Sequence, residues 1–169
     1  MRTVHLAVLA ALALAASPLG ACGPTGMSGP TMSGRMNPPP PASSVVSTDI
    51  LGREPRANHT KVKHILIGWA DLEDAYPGGI DPRAAKRSKR DAEEAIRQLE
   101  KQLAAGADFD TLMKAHSEDR GSAADARTYD VSPDAGLVIE FRQLGLRLDV
   151  GETGVVESSF GFHLMKRVE

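Results

Sequence analysis

The chain is poor in the residues that build the commonest chemical centres. One cysteine, Cys22, stands in 169 residues, so no disulfide closes within the chain and no cysteine-rich metal site forms. Aromatic residues make up 4% of the sequence, which leaves leucine, isoleucine, valine and alanine to build a core. Neither charge sign dominates: 20 Lys and Arg face 22 Asp and Glu, a net charge of −2. That balance supplies no general attraction for nucleic acid or for an anionic membrane surface. The spacings that preorganise a metal, His-x-His or His-Glu-x-x-His, are missing. "GSAAD" and "SSFG" are not nucleophile elbows. Neither a metal centre nor a Ser-His-acid hydrolase is supported, and no cofactor is expected.

The long apolar run "VLAALALAAS" lies near the N-terminus, behind Arg2 and His5. It is too short and too rich in alanine for a stable membrane span, and it has the layout of a secretory signal. It ends in "LGAC", residues 19–22, which resembles the bacterial lipobox. The resemblance implies a signal peptide over 1–21 and a lipidated Cys22, whose acyl chains anchor the protein to a membrane. The expected location is the bacterial cell envelope. Gly23 stands where an aspartate would mark inner-membrane retention, which favours the outer membrane facing the periplasm. Residues 22–57 are dominated by Gly, Pro and Ser and show no apolar period. Such a stretch buries too little surface to offset its ordering entropy. It reads as a tether; about 35 flexible residues span on the order of 30–40 Å.

Residues 58–169 read as one α+β domain. "KVKHILIGW" (61–69) alternates as a strand, with Val62, His64 and Leu66 on one face and Ile65 and Ile67 on the other. A loop with Pro77-Gly78-Gly79 follows. Ser88 and Asp91 have capping-box spacing before a helix carrying Ala92, Ile96, Leu99 and Leu103, which Gly106 ends. Asp108 caps a second helix. Residues 117–127 hold a further helical turn, and 127–131 a short edge strand. Residues 136–148 have a helical pattern with Leu137, Phe141, Leu144 and Leu148 on one side, and two strands close the chain at 153–157 and 162–168.

The chemistry-bearing candidates are few. His64 and His163 each stand among aliphatic residues on strands at opposite ends of the domain. Terminal strands of a small sheet are often neighbours, and paired imidazoles satisfy each other only in defined tautomers. Asp119 in "HSEDRG" has the composition of a third polar partner, although Glu118 beside it serves as well on pattern alone. Leu137 and Phe141, spaced i, i+4, read first as core. Arg83, Lys86, Arg87, Lys89 and Arg90 read as a solvated face, with Lys89–Glu93 and Arg90–Glu94 pairing along the helix.

Taken in order, "VKHILI", "GADFDTL", "VGETGVV" and "SSFGFHLMKR" resemble motifs of the parvulin family of peptidyl-prolyl cis/trans isomerases, over nearly all of 61–169. The resemblance implies a four-stranded antiparallel sheet surrounded by helices. It implies that His64 and His163 are the paired histidines at the centre of the site, with Asp119 beside them as the third catalytic residue. It further implies that Leu137, Phe141, Tyr129 and Ser158 contact the substrate, the first two lining the proline pocket and Ser158 lying near the histidines. The partners implied are proline-containing unfolded or extended polypeptides. Where many members carry a "GGDLG" type segment, this chain has "RGSAADARTYDVSPDAG", with Tyr129 in place of the apolar residue. That departure opens the alternative of a catalytically weak or inactive binding module. Gly68 follows the first strand and the basic cluster lies later, so phosphate selectivity is not implied.

Overall fold

A computed structural model describes residues 43–169. The signal segment, Cys22 and the tether through residue 42 lie outside the described residues. The element order is α1 (Thr48–Leu51), β1 (Thr60–Ile67), α2 (Lys89–Ala104), α3 (Phe109–His116), α4 (Arg120–Asp125), β2 (Tyr129–Val131), α5 (Ile139–Gly145), β3 (Thr153–Ser158) and β4 (Gly161–Arg167). Two short 3₁₀ helices, Ala70–Ala75 and Ala84–Lys86, shape the long loop after β1. The four strands form an antiparallel sheet in the order β2-β1-β4-β3. The first and last strands are therefore neighbours, and Leu66 lies opposite His163 in their register.

Local chemistry accounts for the helices. The Ser88 side chain accepts from the Asp91 amide while the Asp91 carboxylate accepts from the Ser88 amide, so two of the orphan N–H groups at the start of α2 are satisfied. Asp108 caps α3, its carboxylate accepting from both the Thr111 amide and the Thr111 hydroxyl. The strands alternate. Ile65, Ile67, Val155, Phe162 and Leu164 join Ile96, Leu99 and Phe109 of α2 and α3 in one core. Val62, Val156 and Met165 join Phe141 and Leu144 of α5 in a second core on the other face. Gly161, at φ +128, closes the β3–β4 turn against β1; a Cβ there would stand 2.5 Å from the Ile67 carbonyl oxygen.

Three expectations need correction. Residues 43–57, read as tether, are part of the folded domain. Val45 and Ile50 are buried, one in each core, and Ser47 exchanges hydrogen bonds with both backbone groups of Val155, covering the edge of β3. A single helical turn is too short to show a period, which is why composition alone misplaced it. The helix expected over 136–148 is α5, Ile139–Gly145, and Leu137 and Leu148 lie outside it. The turn at Ser132–Ala135 and the extended backbone of Val138 delay its start. Finally, the basic cluster is largely committed to the fold. Lys89 pairs with Glu157, Arg87 with Glu118, and Arg83 with Asp81 and the carbonyls ending α3.

Candidate functional site

The sheet brings the two histidines together. His64 on β1 and His163 on β4 are both buried, and their Nδ1 atoms lie 3.2 Å apart. Segment 117–119 runs beside the C-terminal half of β1, beyond the end of the three-residue β2. The Leu66 amide donates to Ser117 Oγ and the Glu118 amide to the Leu66 carbonyl. Asp119 follows as the N-cap of α4, accepting from the Gly121 and Ser122 amides. That role aims its carboxylate at His64, whose Nε2 lies 3.1 Å from Oδ2. Ser122 Oγ and the Tyr129 hydroxyl each donate to the same oxygen at 2.5 Å.

The tautomers follow from the partners. His64 donates from Nε2 to the carboxylate, so its Nδ1 accepts from His163 Nδ1–H. The remaining His163 nitrogen, Nε2, then accepts from the Ser158 hydroxyl at 2.7 Å. Ser158 Oγ in turn accepts from the Phe160 amide. Every bond in this chain runs one way. Donation from His64 foremost, and from Ser122 and Tyr129, holds Asp119 far below the usual carboxylate range against the effect of burial. Burial first, and His64 beside it second, push His163 down to about 3. Asp119 is therefore an anion and His163 a neutral spacer. So weak a base does not activate Ser158, and Ser158 does not line the cavity as expected of a substrate contact. It acts on His163 instead.

The cavity above this chain measures about 460 Å³ and is lined by His64, His163, Asp119, Tyr129, Leu137 and Phe141, among others. The Phe141 ring meets His64 at 5.1 Å and His163 at 5.4 Å, edge-on to both. Tyr129 stands 5.0 Å from His64. Asp119 and Glu118, interchangeable by pattern, are distinct in place. The Glu118 side chain is buried, accepts from the Gly68 amide at 2.6 Å and pairs with Arg87 at 2.7 Å. It ties the long loop to the end of β1. Removing it leaves the Gly68 amide unpartnered and takes from Arg87 its counter-charge, so that Arg87 keeps only the Gly68 carbonyl. Among the described residues no group of three or more His, Cys, Asp or Glu side chains is arranged to hold a metal.

Three lining or supporting residues escaped sequence reading: Ser122, Tyr76 and Phe160. Ser122 was discoverable, since it stands at the N3 position after an aspartate cap. Tyr76 and Phe160 had a weaker signal, scarcity. The chain has four phenylalanines and two tyrosines, and Tyr76, Tyr129, Phe141 and Phe160 all line this cavity.

Comparison with known proteins agrees with this fold. The family model described as a PPIC-type PPIase domain matches residues 48–169. The Chaperone SurA of Nitrosospira multiformis is 31% identical over 113 residues, 66% of this chain and 22% of that protein. The Foldase protein PrsA 4 of Bacillus cereus is 33% identical over 75 residues, 44% of this chain and 27% of that protein. The matched part is thus about a quarter of those relatives' length. In fold, the chain is similar to the peptidyl-prolyl isomerase ESS1 from Candida albicans, with TM-score 0.55 and 18% identity over 66% of this chain and 63% of that one. It is also similar to the PPIase domain of TbPar42, with TM-score 0.53 and 24% identity over 65% of this chain and 99% of that one. The four-stranded antiparallel sheet with its helices is the parvulin fold.

Proposed function

The chain belongs to the PPIC-type PPIase family, and from that premise we propose that its domain accelerates cis/trans isomerisation of the peptide bond before proline in unfolded or extended polypeptides, assisting their folding. The observation that carries this reading is the edge-on packing of Phe141 over the His64–His163 pair, inside a cavity that also holds an ionised Asp119.

Rotation about the bond faces a barrier of about 20 kcal/mol and takes tens of seconds unaided. In the twisted transition state the nitrogen regains its lone pair and the carbonyl loses its resonance polarity. No covalent step or cofactor is required. Phe141 and Leu137 hold the pyrrolidine ring in apolar surroundings, which fixes one side of the bond and favours the less polar state. Asp119 is an anion already bonded to five donors, so it does not donate to the moving carbonyl oxygen. Its charge opposes the build-up of negative charge on that oxygen in the planar amide, which again favours the twisted state. His64 orients Asp119, and His163, bonded to His64, stays uncharged. Where the family's central motif is altered, Ser122 and Tyr129 complete the network around Asp119, which supports catalysis over a merely binding module.

The test is exchange NMR on proline peptides with the full chain. Acceleration over the uncatalysed rate is expected; none across a panel of residues flanking proline leaves the binding module. We further propose that Cys22 carries the lipid anchor that holds the protein in the bacterial envelope, at the outer membrane. Cys22→Ala is expected to move the protein from the membrane fraction to the soluble one; unchanged partitioning would overturn this.

A further inference from the structure

Arg127 is exposed and does not line the cavity. Among the described residues its guanidinium forms no ion pair. It donates instead to a neutral group: Nε lies 3.3 Å and Nη2 2.9 Å from the Tyr129 hydroxyl oxygen. That hydroxyl donates to Asp119 Oδ2 at 2.5 Å. A phenol has one hydrogen to give and lone pairs to receive, so a directed chain runs from Arg127 through Tyr129 to Asp119. The carboxylate ends a second such chain, from Ser158 through His163 and His64. The chain through Tyr129 differs in starting on a permanent positive charge.

The backbone is shaped around this guanidinium. Ala126, at φ 55, is the one residue other than glycine with positive φ among the described residues. It ends α4, its amide donating to the Ser122 carbonyl, and a left-handed residue there turns the chain back along the helix. Arg127 is thereby brought against the first turn of α4. A Cβ added to Gly121 would stand 2.7 Å from Arg127 Cζ. Gly121 itself has helical backbone and no positive φ, so the space, not the conformation, calls for glycine. The same guanidinium lies over the Tyr129 ring, 4.9 Å from its centroid, a cation–π contact. All of these residues belong to the stretch that departs from the "GGDLG" type segment.

A hydroxyl that accepts from a cation donates more strongly, because successive hydrogen bonds polarise one another. Burial foremost, and the bond to Asp119 next, push the Tyr129 phenol above its ordinary range, while Ser122 and Arg127 pull it back. It stays protonated and keeps donating. Its ring stands 5.0 Å from His64 and 5.9 Å from Phe141, so fixing the hydroxyl also fixes one wall of the cavity. Resting on the isomerase reading, we propose that Arg127 is a positioning residue: it touches no substrate, but it holds the Tyr129 hydroxyl on Asp119 and so directs the carboxylate's charge at the rotating carbonyl.

The test is exchange NMR at neutral pH with the full chain on proline peptides. Arg127→Gln, which keeps a donor and loses the charge, is expected to lower kcat about fivefold, the equivalent of one net hydrogen bond, with KM held within about twofold. Arg127→Lys, which keeps the charge, is expected to stay within about twofold of the parent. Gly121→Ala displaces the guanidinium while favouring helix; it should reproduce the loss of kcat with no loss of thermal stability. A second readout needs no activity. The chain has two tyrosines, and 3-fluorotyrosine at both, assigned with Tyr76→Phe, lets fluorine NMR follow the Tyr129 phenol. Its midpoint is expected to rise by about half a pH unit in Arg127→Gln and in Gly121→Ala. An unmoved midpoint, equal losses for Gln and Lys, or losses of kcat that track thermal stability would each overturn the role. A raised midpoint in a protein that accelerates no peptide sustains the link from Arg127 to Tyr129 and sinks the isomerase reading. Acceleration untouched by Arg127→Gln and Gly121→Ala does the reverse.

Discussion

The face of the sheet that meets α2 and α3 takes Ile65, Ile67, Val155, Phe162 and Leu164, and every one of them packs on apolar neighbours. The opposite face takes Val62, Val156 and Met165 from the same strands, but sets His64 and His163 among them. Two-residue alternation lets one strand serve both designs. The first face is closed by the long amphipathic α2 together with α3 and holds the fold together. The second is covered by the short α1, α4 and α5, which leave a cavity, and there His64 and His163 stay buried because every ring nitrogen has a partner. Stability and chemistry are thus divided between the two sides of one sheet.

Two phenylalanines test that division most severely. Phe162, fully buried on the closed face, is expected to cost about 3–5 kcal/mol when replaced by alanine, a large part of a typical total of about 5–15 kcal/mol. Urea denaturation reads the loss, and the rate per folded molecule should hold. Phe141, equally hidden but bordering the cavity, should behave the other way. Phe141→Ala is expected to lower kcat/KM on the order of 100-fold, about 2.7 kcal/mol of transition-state stabilisation. It should cost less stability than Phe162→Ala, because one side of its ring faces open space. If both variants lost stability and activity in the same proportion, the two faces would not be functionally distinct.

The division was half visible in the sequence. The alternation of "KVKHILI" and "GFHLMKR" placed each histidine on the face opposite Ile65 and Leu164, and capping chemistry located the starts of α2 and α3, because these signals are local. What was not legible depends on distant partners. The bond from Tyr76 to Phe160 spans 84 residues. Val45 finds its core only across β3. The distinction between Glu118 and Asp119 exists only once β1 lies alongside them, with the Gly68 amide claiming one and His64 the other.

A weaker test uses pH. His163 is neutral in the fold, with its pKa pushed down to about 3, while in the unfolded chain an imidazole titrates at about 6.5. Between these values the unfolded state binds the extra proton, so stability is full above about pH 6.5 and falls as pH drops toward 3. The loss between pH 7 and pH 5 is at most about 2 kcal/mol for this one group. Asp119, also depressed, adds its own loss only below the ordinary carboxylate range. Urea midpoints of the parent should fall between pH 7 and pH 5, and those of His163→Gln should stay nearly level. An equal fall in both would mean that another group carries the pH dependence of the histidine face.

The smallest effect comes from the neighbouring residue. Lys63 and His64 are adjacent on β1, point to opposite faces, and each meets an aspartate. Lys63 Nζ lies 2.5 Å from Asp110 and His64 Nε2 lies 3.1 Å from Asp119. By distance alone the lysine pair is the stronger. Exposure reverses the order: Asp110 is 41% exposed and its partner 19%, against 26% for Asp119 and 6% for His64. Water and salt screen the first pair, and holding a lysine in one geometry costs side-chain entropy, so such pairs contribute about 0–1 kcal/mol. Lys63→Gln is expected to lower stability by less than about 1 kcal/mol, with the difference shrinking in 0.5 M salt, roughly three times physiological ionic strength. The same salt should leave the effect of Asp119→Asn nearly unchanged, because that carboxylate is bonded rather than merely attracted. A salt-independent loss at Lys63 would show that the closed face also depends on a specific polar contact.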